Sequence, residues 1–327
     1  MKRLHSQLDS NSNNIMSQLT ICTHSGSFHA DEALACFLLK LTDQFKDAKI
    51  IRSRDTEVVK AADVAVDVGA EYNQSKHRYD HHQAGFTEIF GDGFKTKLSS
   101  AGLIYKHFGK EIIKNRLQLD ERKVNLIYKK VYANAIEELD GMDNGIERYP
   151  IDVKPLYAVT STIGNRVASL NPSWNEPQDD DILFKQFEKA MTMMGEYFLD
   201  KVDYYGKSWV PAYDIVETAV KNRSSVHSSG EIIILDQYCP WKDHLYHVED
   251  VLSIQTKIKF VLYQDTLGSW RIQAVNLDSH SFALRKALLE AWRGKRDQEL
   301  SDIIDANGFI GGHKTKEGAL TMAIKSL

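Results

Sequence analysis

The stretch LTICTHSGSFHADEALACFLLKL, Leu19–Leu41, decides the fold. Leu19–Thr23 is a short apolar run of strand type, and His24–His29 is a polar segment containing Gly26. From Asp31 to Leu41 the apolar side chains recur with helical spacing. Strand, loop and helix follow one another, and the pattern then repeats. Lys49–Arg52 predicts a second strand, Glu57–Ala62 a helix, and Val64–Val68 a third strand containing Asp67. Short apolar strands alternating with helices predict an α/β fold with a mostly parallel sheet flanked by helices. Ligands of such sheets gather beyond the carboxyl ends of the strands. His24 and Asp67 both belong there.

Further along, one helix is expected to open near Ser99-Ser100 and run through LIYKHFG. Another should start at Asp120 as N-cap and end near Leu139, broken by Asp140-Gly141. Met142–Pro155 reads as a connection, and Leu156 to about Val226 as mainly helical, interrupted by the loop Asn171–Pro177. The character then changes. Ile232–Leu235, Lys257–Tyr263 and Trp270–Val275 predict strands, and a last helix from Lys316 follows an expected turn at Gly311-Gly312. The boundary falls near residue 205. This divides the chain into a polar, Ser- and Asn-rich tail expected to be disordered (1–18), an α/β domain (19–205) and a second, smaller α/β domain (206–327).

Lys plus Arg number 41 and Asp plus Glu 45, a formal charge of −4 over 327 residues. That balance argues against a protein that coats nucleic acid non-specifically, while leaving room for a local basic groove. No run approaches the roughly 18–20 apolar residues of a membrane span. Cys22, Cys36 and Cys239 lack metal-type spacing and are expected to be buried free thiols of a reducing compartment.

Several residue types point to chemistry. His24, His29, Asp31 and Glu32 mix imidazole with carboxylate, which suits Mn, Fe, Co or Zn. The plainer alternative is that Asp31 and Glu32 only complement the positive end of the following helix. Asp67 ends the apolar run VAVDVG, where a carboxylate is costly unless hydrogen-bonded or coordinated. Asp80-His81-His82 sets a carboxylate beside imidazoles that it could orient. Asp140, taken alone, reads as a turn residue. In the second half, Arg285, Lys286, Arg293, Lys295 and Arg296 surround Trp292, a pattern that fits phosphate binding with base stacking, or a solvated helix face. Gly311-Gly312 could let backbone N–H groups approach an anion, with His313 and Lys314 adding positive charge.

The order of these segments resembles the DHH phosphoesterase superfamily. More closely, ICTHSGSFHADEALA, VAVDVGAEY, YDHHQAGF, KLSSAGLIYKHFG, NAIEELDGMDNG and GFIGGHKTKEGAL are similar to the eukaryotic melanocyte-proliferating-gene-1 family. The resemblance implies two divalent ions, with Mn²⁺ foremost and Mg²⁺ or Co²⁺ as the other candidates. It implies His24, His29 and Asp67 on the first ion, and Asp31, Asp67, His81 and Asp140 on the second. Asp80 would orient His81, and His82 would face the substrate phosphate. In most superfamily members an aspartate stands where this chain has His29, and the extra nitrogen tilts the preference from Mg towards Mn or a later metal. Arg285, Arg293, Arg296, Gly311, Gly312, His313 and Lys314 would bind substrate in a cleft between the two domains. The implied activity is metal-dependent phosphodiester hydrolysis by a 3′–5′ exonuclease that releases nucleoside monophosphates from single-stranded RNA. The implied location is the nucleus or mitochondrion, with the cytoplasm as the other candidate. Two alternatives stand beside it: a phosphoesterase for short oligonucleotides or small phosphoanhydrides, and a non-catalytic metal-binding scaffold.

Overall fold

β1, Thr20–Thr23, is buried from Ile21 onward, and it leads through a short loop into α1, Ala30–Lys40. α1 opens where Glu32 reaches back to accept from the His29 backbone N–H at 2.8 Å. That bond satisfies one of the orphan donors of a helix start. In this computed structural model the described residues are 18–150, 152–153, 155–279, 281–295 and 308–327. Of the tail expected over 1–18, only residue 18 falls among them. The chain divides into two units, the first ending at Val202 and the second running Asp203–Leu327.

In the first unit β1 is followed by β2 (Lys49–Arg52), α2 (Thr56–Ala61) and β3 (Val64–Val66). Two short strands come next, β4 (Tyr72–Asn73) and β5 (Arg78–Tyr79). They form one sheet in the order β2-β1-β3-β5-β4, parallel except for β4, which runs antiparallel to β5. The chain is thus α/β with a mostly parallel sheet flanked by helices. A hairpin of β6 (Ile89–Gly91) and β7 (Phe94–Lys97) precedes α3, Ser100–Leu117, which packs on α1. α4, Glu121–Val131, begins at its Asp120 cap, whose side chain accepts from the Lys123 N–H at 3.0 Å. A π-helical turn, Tyr132–Ile136, then joins α4 to α5, Glu137–Asp143. The helix expected to stop near Leu139 therefore runs on to Asp143. A π turn holds one extra residue, which rotates everything after it by about 100° relative to a continuous 3.6-residue helix. α6, Ile163–Ala168, and α7, Asp180–Tyr204, follow.

The second unit continues through a π turn, Tyr205–Trp209, into α8 (Val210–Lys221) and α9 (Arg223–Val226). β8 (Ile232–Ile234), α10 (Lys242–Val251), β9 (Phe260–Gln264), β10 (Trp270–Ala274), β11 (Ile310–His313) and α11 (Lys316–Ser326) complete it. The sheet order is β11-β10-β9-β8, with β8 parallel to β9 and the other pairs antiparallel. Alternation along β9 feeds two cores. Phe260 and Leu262 join Ala319, Met322 and Ala323 of α11, while Val261 and Tyr263 join Val216, Val220, Leu245 and Val248 of α8 and α10. This is the period-2 pattern of a sheet covered on both faces. The Gly311-Gly312 turn expected from sequence is instead strand, paired as Gly311↔Ile272 and Gly312↔Arg271. Cys22, Cys36 and Cys239 are buried free thiols. Among the described residues no helix is long and apolar enough to cross a membrane.

Candidate metal centre

Three neighbouring parallel strands, β1, β3 and β5, end on the same edge of the first sheet, and each hands a chemical side chain to the residue just beyond it. β1 delivers His24, β3 delivers Asp67 and β5 delivers Asp80. Asp67 adopts a left-handed backbone (φ 57°), and its N–H donates to the Tyr79 carbonyl at 3.1 Å. A non-glycine residue held in that region costs energy, and such positions concentrate at functional sites.

The Asp67 carboxylate sits in the middle. One oxygen lies 3.4 Å from His24 Nε2. The other lies 3.5 Å from both His81 Nδ1 and His82 Nδ1, and it accepts from the Ser100 hydroxyl at 3.0 Å. His24 Nε2 also lies 3.1 Å from Glu32 Oε1. On the other flank His81 Nε2 meets Asp143 at 2.8 Å. Three groups arise in which one donor atom per residue lies within 4.8 Å of the others: His24, His29, Glu32 and Asp67; Asp67, Asp80, His81 and His82; and His29, Asp31 and Asp143. These histidine–carboxylate groups could hold divalent metal. Asp67 belongs to two of them.

The donors fit a cation for a further reason. Both carboxylate oxygens of Asp31 and Glu32 Oε2 are buried without a hydrogen-bond partner. Buried carboxylate oxygens are ordinarily paired, because desolvation without compensation is costly. A divalent ion would supply what these atoms lack, and His, Asp and Glu together suit a borderline metal. Electrostatics agree. Burial, then the charges of Asp67, Asp143 and Glu32, hold the Asp31 carboxyl well above the usual carboxylate range. Burial opposes the charged form of His24, but hydrogen bonds to Asp67 and Glu32 outweigh it and push the imidazole up to about 10. Burial likewise works against the Asp67 carboxylate, yet His24, His81 and His82 together hold it below the ordinary value.

Most of the residues expected from sequence converge here: His24, His29, Asp31, Asp67, Asp80, His81 and His82. Asp80 does not orient His81 as expected. Its Oδ1 accepts from the His82 backbone N–H at 3.1 Å and lies 2.8 Å from His82 Nδ1, and its Oδ2 accepts from the Ala70 N–H at 2.6 Å. His81 takes its orientation from Ser100 and Asp143 instead.

Asp140 is a correction. It is fully buried, and its Oδ1 accepts from both the backbone N–H and the hydroxyl of Ser99, while its Oδ2 accepts from the Tyr132 hydroxyl at 2.9 Å. It sits against the start of α3, where a Cβ on Gly102 would collide with it, so it serves as a cap supplied from another helix. Burial, only partly offset by these donors, raises its carboxyl to about 7. Asp143, three residues on, is the carboxylate that stands with His29 and Asp31 in one of the three groups. Glu32 is the other residue that the expected ligand set left out. Its signal was present as a carboxylate one turn into α1, but its capping role accounted for it.

The second-unit residues fare differently. The Arg285 side chain, 2% exposed, is held in an ion pair with Glu249 at 2.8 Å and donates to the Ile258 carbonyl at 2.9 Å, a structural placement. Arg293 is exposed and anchored through Nε on the Leu288 carbonyl at 3.1 Å. Arg296 lies outside the described residues. Gly311 and Gly312 are buried in β11, His313 accepts from the Thr315 N–H at 3.0 Å, and Lys314 is exposed.

Fold and centre together define an α/β protein with a shared histidine–carboxylate metal-type site at the carboxyl edge of a parallel sheet. Residues 20–327 match the MYG1 exonuclease family model, described as "Uncharacterised protein family (UPF0160)", and the chain belongs to that family. It is 62% identical over 320 residues to the MYG1 protein of Dictyostelium discoideum, covering 95% of this chain and 97% of that one. It is 47% identical over 329 residues to the MYG1 exonuclease of Homo sapiens, covering 96% and 87%. The MYG1 protein YER156C of Saccharomyces cerevisiae is 45% identical over 322 residues, covering 94% and 95%. Among solved structures, the manganese-bound crystal structure of exonuclease RecJ aligns over 94% of this chain and 88% of its own, with a TM-score of 0.24 and 14% identity.

Proposed function

We propose that the chain is a metal-dependent phosphodiester hydrolase, a 3′–5′ exonuclease that releases nucleoside monophosphates from single-stranded RNA and works with two divalent ions, manganese foremost. The observation that carries this is the position of Asp67, shared between two histidine–carboxylate groups. His24, His29, Glu32 and Asp67 would hold one ion, and Asp31, Asp67, His81 and Asp143 the other. A pair of such ions, when bound, supplies Lewis-acid activation of water and neutralisation of charge on a phosphoryl group.

The chain's own residues do the rest. Asp80, fixed by the Ala70 and His82 backbone N–H groups, holds His82 by Nδ1 and so turns Nε2 outward. His82 is 61% exposed and lines the adjoining cavity, which places its outer nitrogen to donate a hydrogen bond or proton to a phosphoryl or leaving oxygen. The buried Ser100 hydroxyl, donating to Asp67, keeps that carboxylate aimed at the centre. The mammalian relatives carry the name exonuclease, which supports a nucleic-acid substrate. A cavity of about 770 Å³ adjoins the centre, within the range of small-ligand sites, and this favours short oligonucleotides as a second reading.

Incubation of 5′- and 3′-labelled RNA with manganese tests the proposal. Labelled mononucleotide should appear at once from the 3′-labelled strand, and a descending ladder from the 5′-labelled one. Hydrolysis confined to short oligonucleotides would favour the second reading, and both strands left intact at every length would refute the nuclease.

A further inference from the structure

The cavity beside the centre is strongly acidic. Asp31, Asp67, Asp80 and Asp143 line it, and among the described lining residues Arg54 is the one permanent cation. Arg54 lies two residues past the end of β2 and is exposed. Its neighbour Arg52 is spent on structure. Arg52 donates to the Gly26 carbonyl at 2.7 Å and lies 5.5 Å and 4.8 Å from the ring centroids of Phe28 and Phe187. Arg54 is tethered more lightly, its Nε donating to the Ser25 carbonyl at 3.1 Å.

One Nη of Arg54 lies 3.1 Å from His24 Nδ1. A guanidinium only donates. The guanidinium has more N–H groups than these two contacts engage, and it stands exposed at the wall of the cavity. A phosphoryl group offers paired oxygens in the geometry that a guanidinium fork matches.

We infer that Arg54 recognises the phosphoryl group of the substrate, binding its oxygens from beside His24; this rests on the phosphoester reading above. It is a specificity residue for the phosphate, separate from the residues that hold the ions.

Calorimetric titration of adenosine 5′-monophosphate, adenosine and manganese into the full chain and its Arg54→Gln and Arg54→Lys variants tests this. Loss of a charge-assisted pair should weaken the monophosphate in Arg54→Gln by roughly 10- to 100-fold. Arg54→Lys should recover only part of that loss, and manganese and adenosine binding should change by less than about twofold. Equal monophosphate affinity in wild type and Arg54→Gln would overturn the assignment. So would a parallel loss of manganese or adenosine binding, which would make Arg54 a brace for the His24 loop. Wild type that binds manganese but no monophosphate would overturn the phosphoester reading itself, and the assignment with it.

Discussion

Replacing Asp140 separates a structural carboxylate from a metal-holding one. In Asp140→Ala three donors lose their acceptor at a fully buried position: the Ser99 N–H, the Ser99 hydroxyl and the Tyr132 hydroxyl. At about 1–2 kcal/mol each after relaxation, the variant should lose roughly 3–6 kcal/mol of stability. Asp140→Asn is different. The amide keeps an acceptor for Ser99 and turns its NH₂ towards Tyr132, whose hydroxyl can reverse. Burial already disfavours the charge, so the change should cost less than about 1 kcal/mol at neutral pH. The pH dependence follows the same logic. With its carboxyl raised to about 7, Asp140 contributes stability that is fully present below the ordinary carboxyl value and lost as pH rises through 7. Asp140→Asn should therefore remove that decline. Asp143→Asn, at a side chain 20% exposed, should leave stability within about 1 kcal/mol and weaken manganese by well over tenfold. Urea unfolding at pH 5 and pH 8, paired with manganese titration, reads both effects. Loss of manganese binding in Asp140→Asn with retention in Asp143→Asn would refute the assignment.

Other consequences can be measured separately. His24 is raised to about 10, so its contribution to the stability of chelator-treated protein is fully present below about 6.5 and lost as pH rises through 10. A His24→Gln variant should flatten that part of the stability profile, and in wild type manganese binding near pH 7.5 should release protons, detectable as a buffer-dependent enthalpy. Asn171 clamps the backbone just before His29, accepting from the Phe28 N–H and donating to its carbonyl, both at 2.9 Å. Asn171→Asp sets a carboxylate against that carbonyl and should weaken manganese about tenfold, with little change in overall unfolding. Arg285→Ala strands the buried Glu249 carboxylate and should cost about 3–5 kcal/mol in urea unfolding, whereas Arg285→Ala with Glu249→Leu should recover much of it. Weakened substrate binding with unchanged stability would restore Arg285 to the substrate surface.

The strands that carry His24 and Asp67 were legible because both are short, buried runs: β1 is buried from Ile21 to Thr23, and β3 is the apolar, fully buried Val64–Val66. β5 was not. Two residues, Arg78–Tyr79, hold too little pattern to show that Asp80 stands at a strand end beside Asp67. The choice between Asp140 and Asp143 was hidden by the π turn Tyr132–Ile136, whose extra residue changes which side of α5 faces the centre. Gly311-Gly312 looked like a turn because glycine weakens a strand, yet both pair with β10. Arg285 and Arg54 show the same limit from opposite sides. A basic cluster near Trp292 suggested a phosphate surface, while the arginine that lines the acidic cavity stood in an unremarked loop after β2. Burial, which decides each case, depends on partners far away in the sequence.

The most direct measurement is the number of manganese ions bound and whether they sense each other. Equilibrium dialysis should find two per wild-type chain, and electron paramagnetic resonance should show the two spins coupled through a shared ligand. Asp67→Asn should lose the coupled signal and retain at most one ion, whereas Asp140→Asn should keep both. A single bound ion in wild type, or two uncoupled ions that survive Asp67→Asn, would contradict a centre built around Asp67.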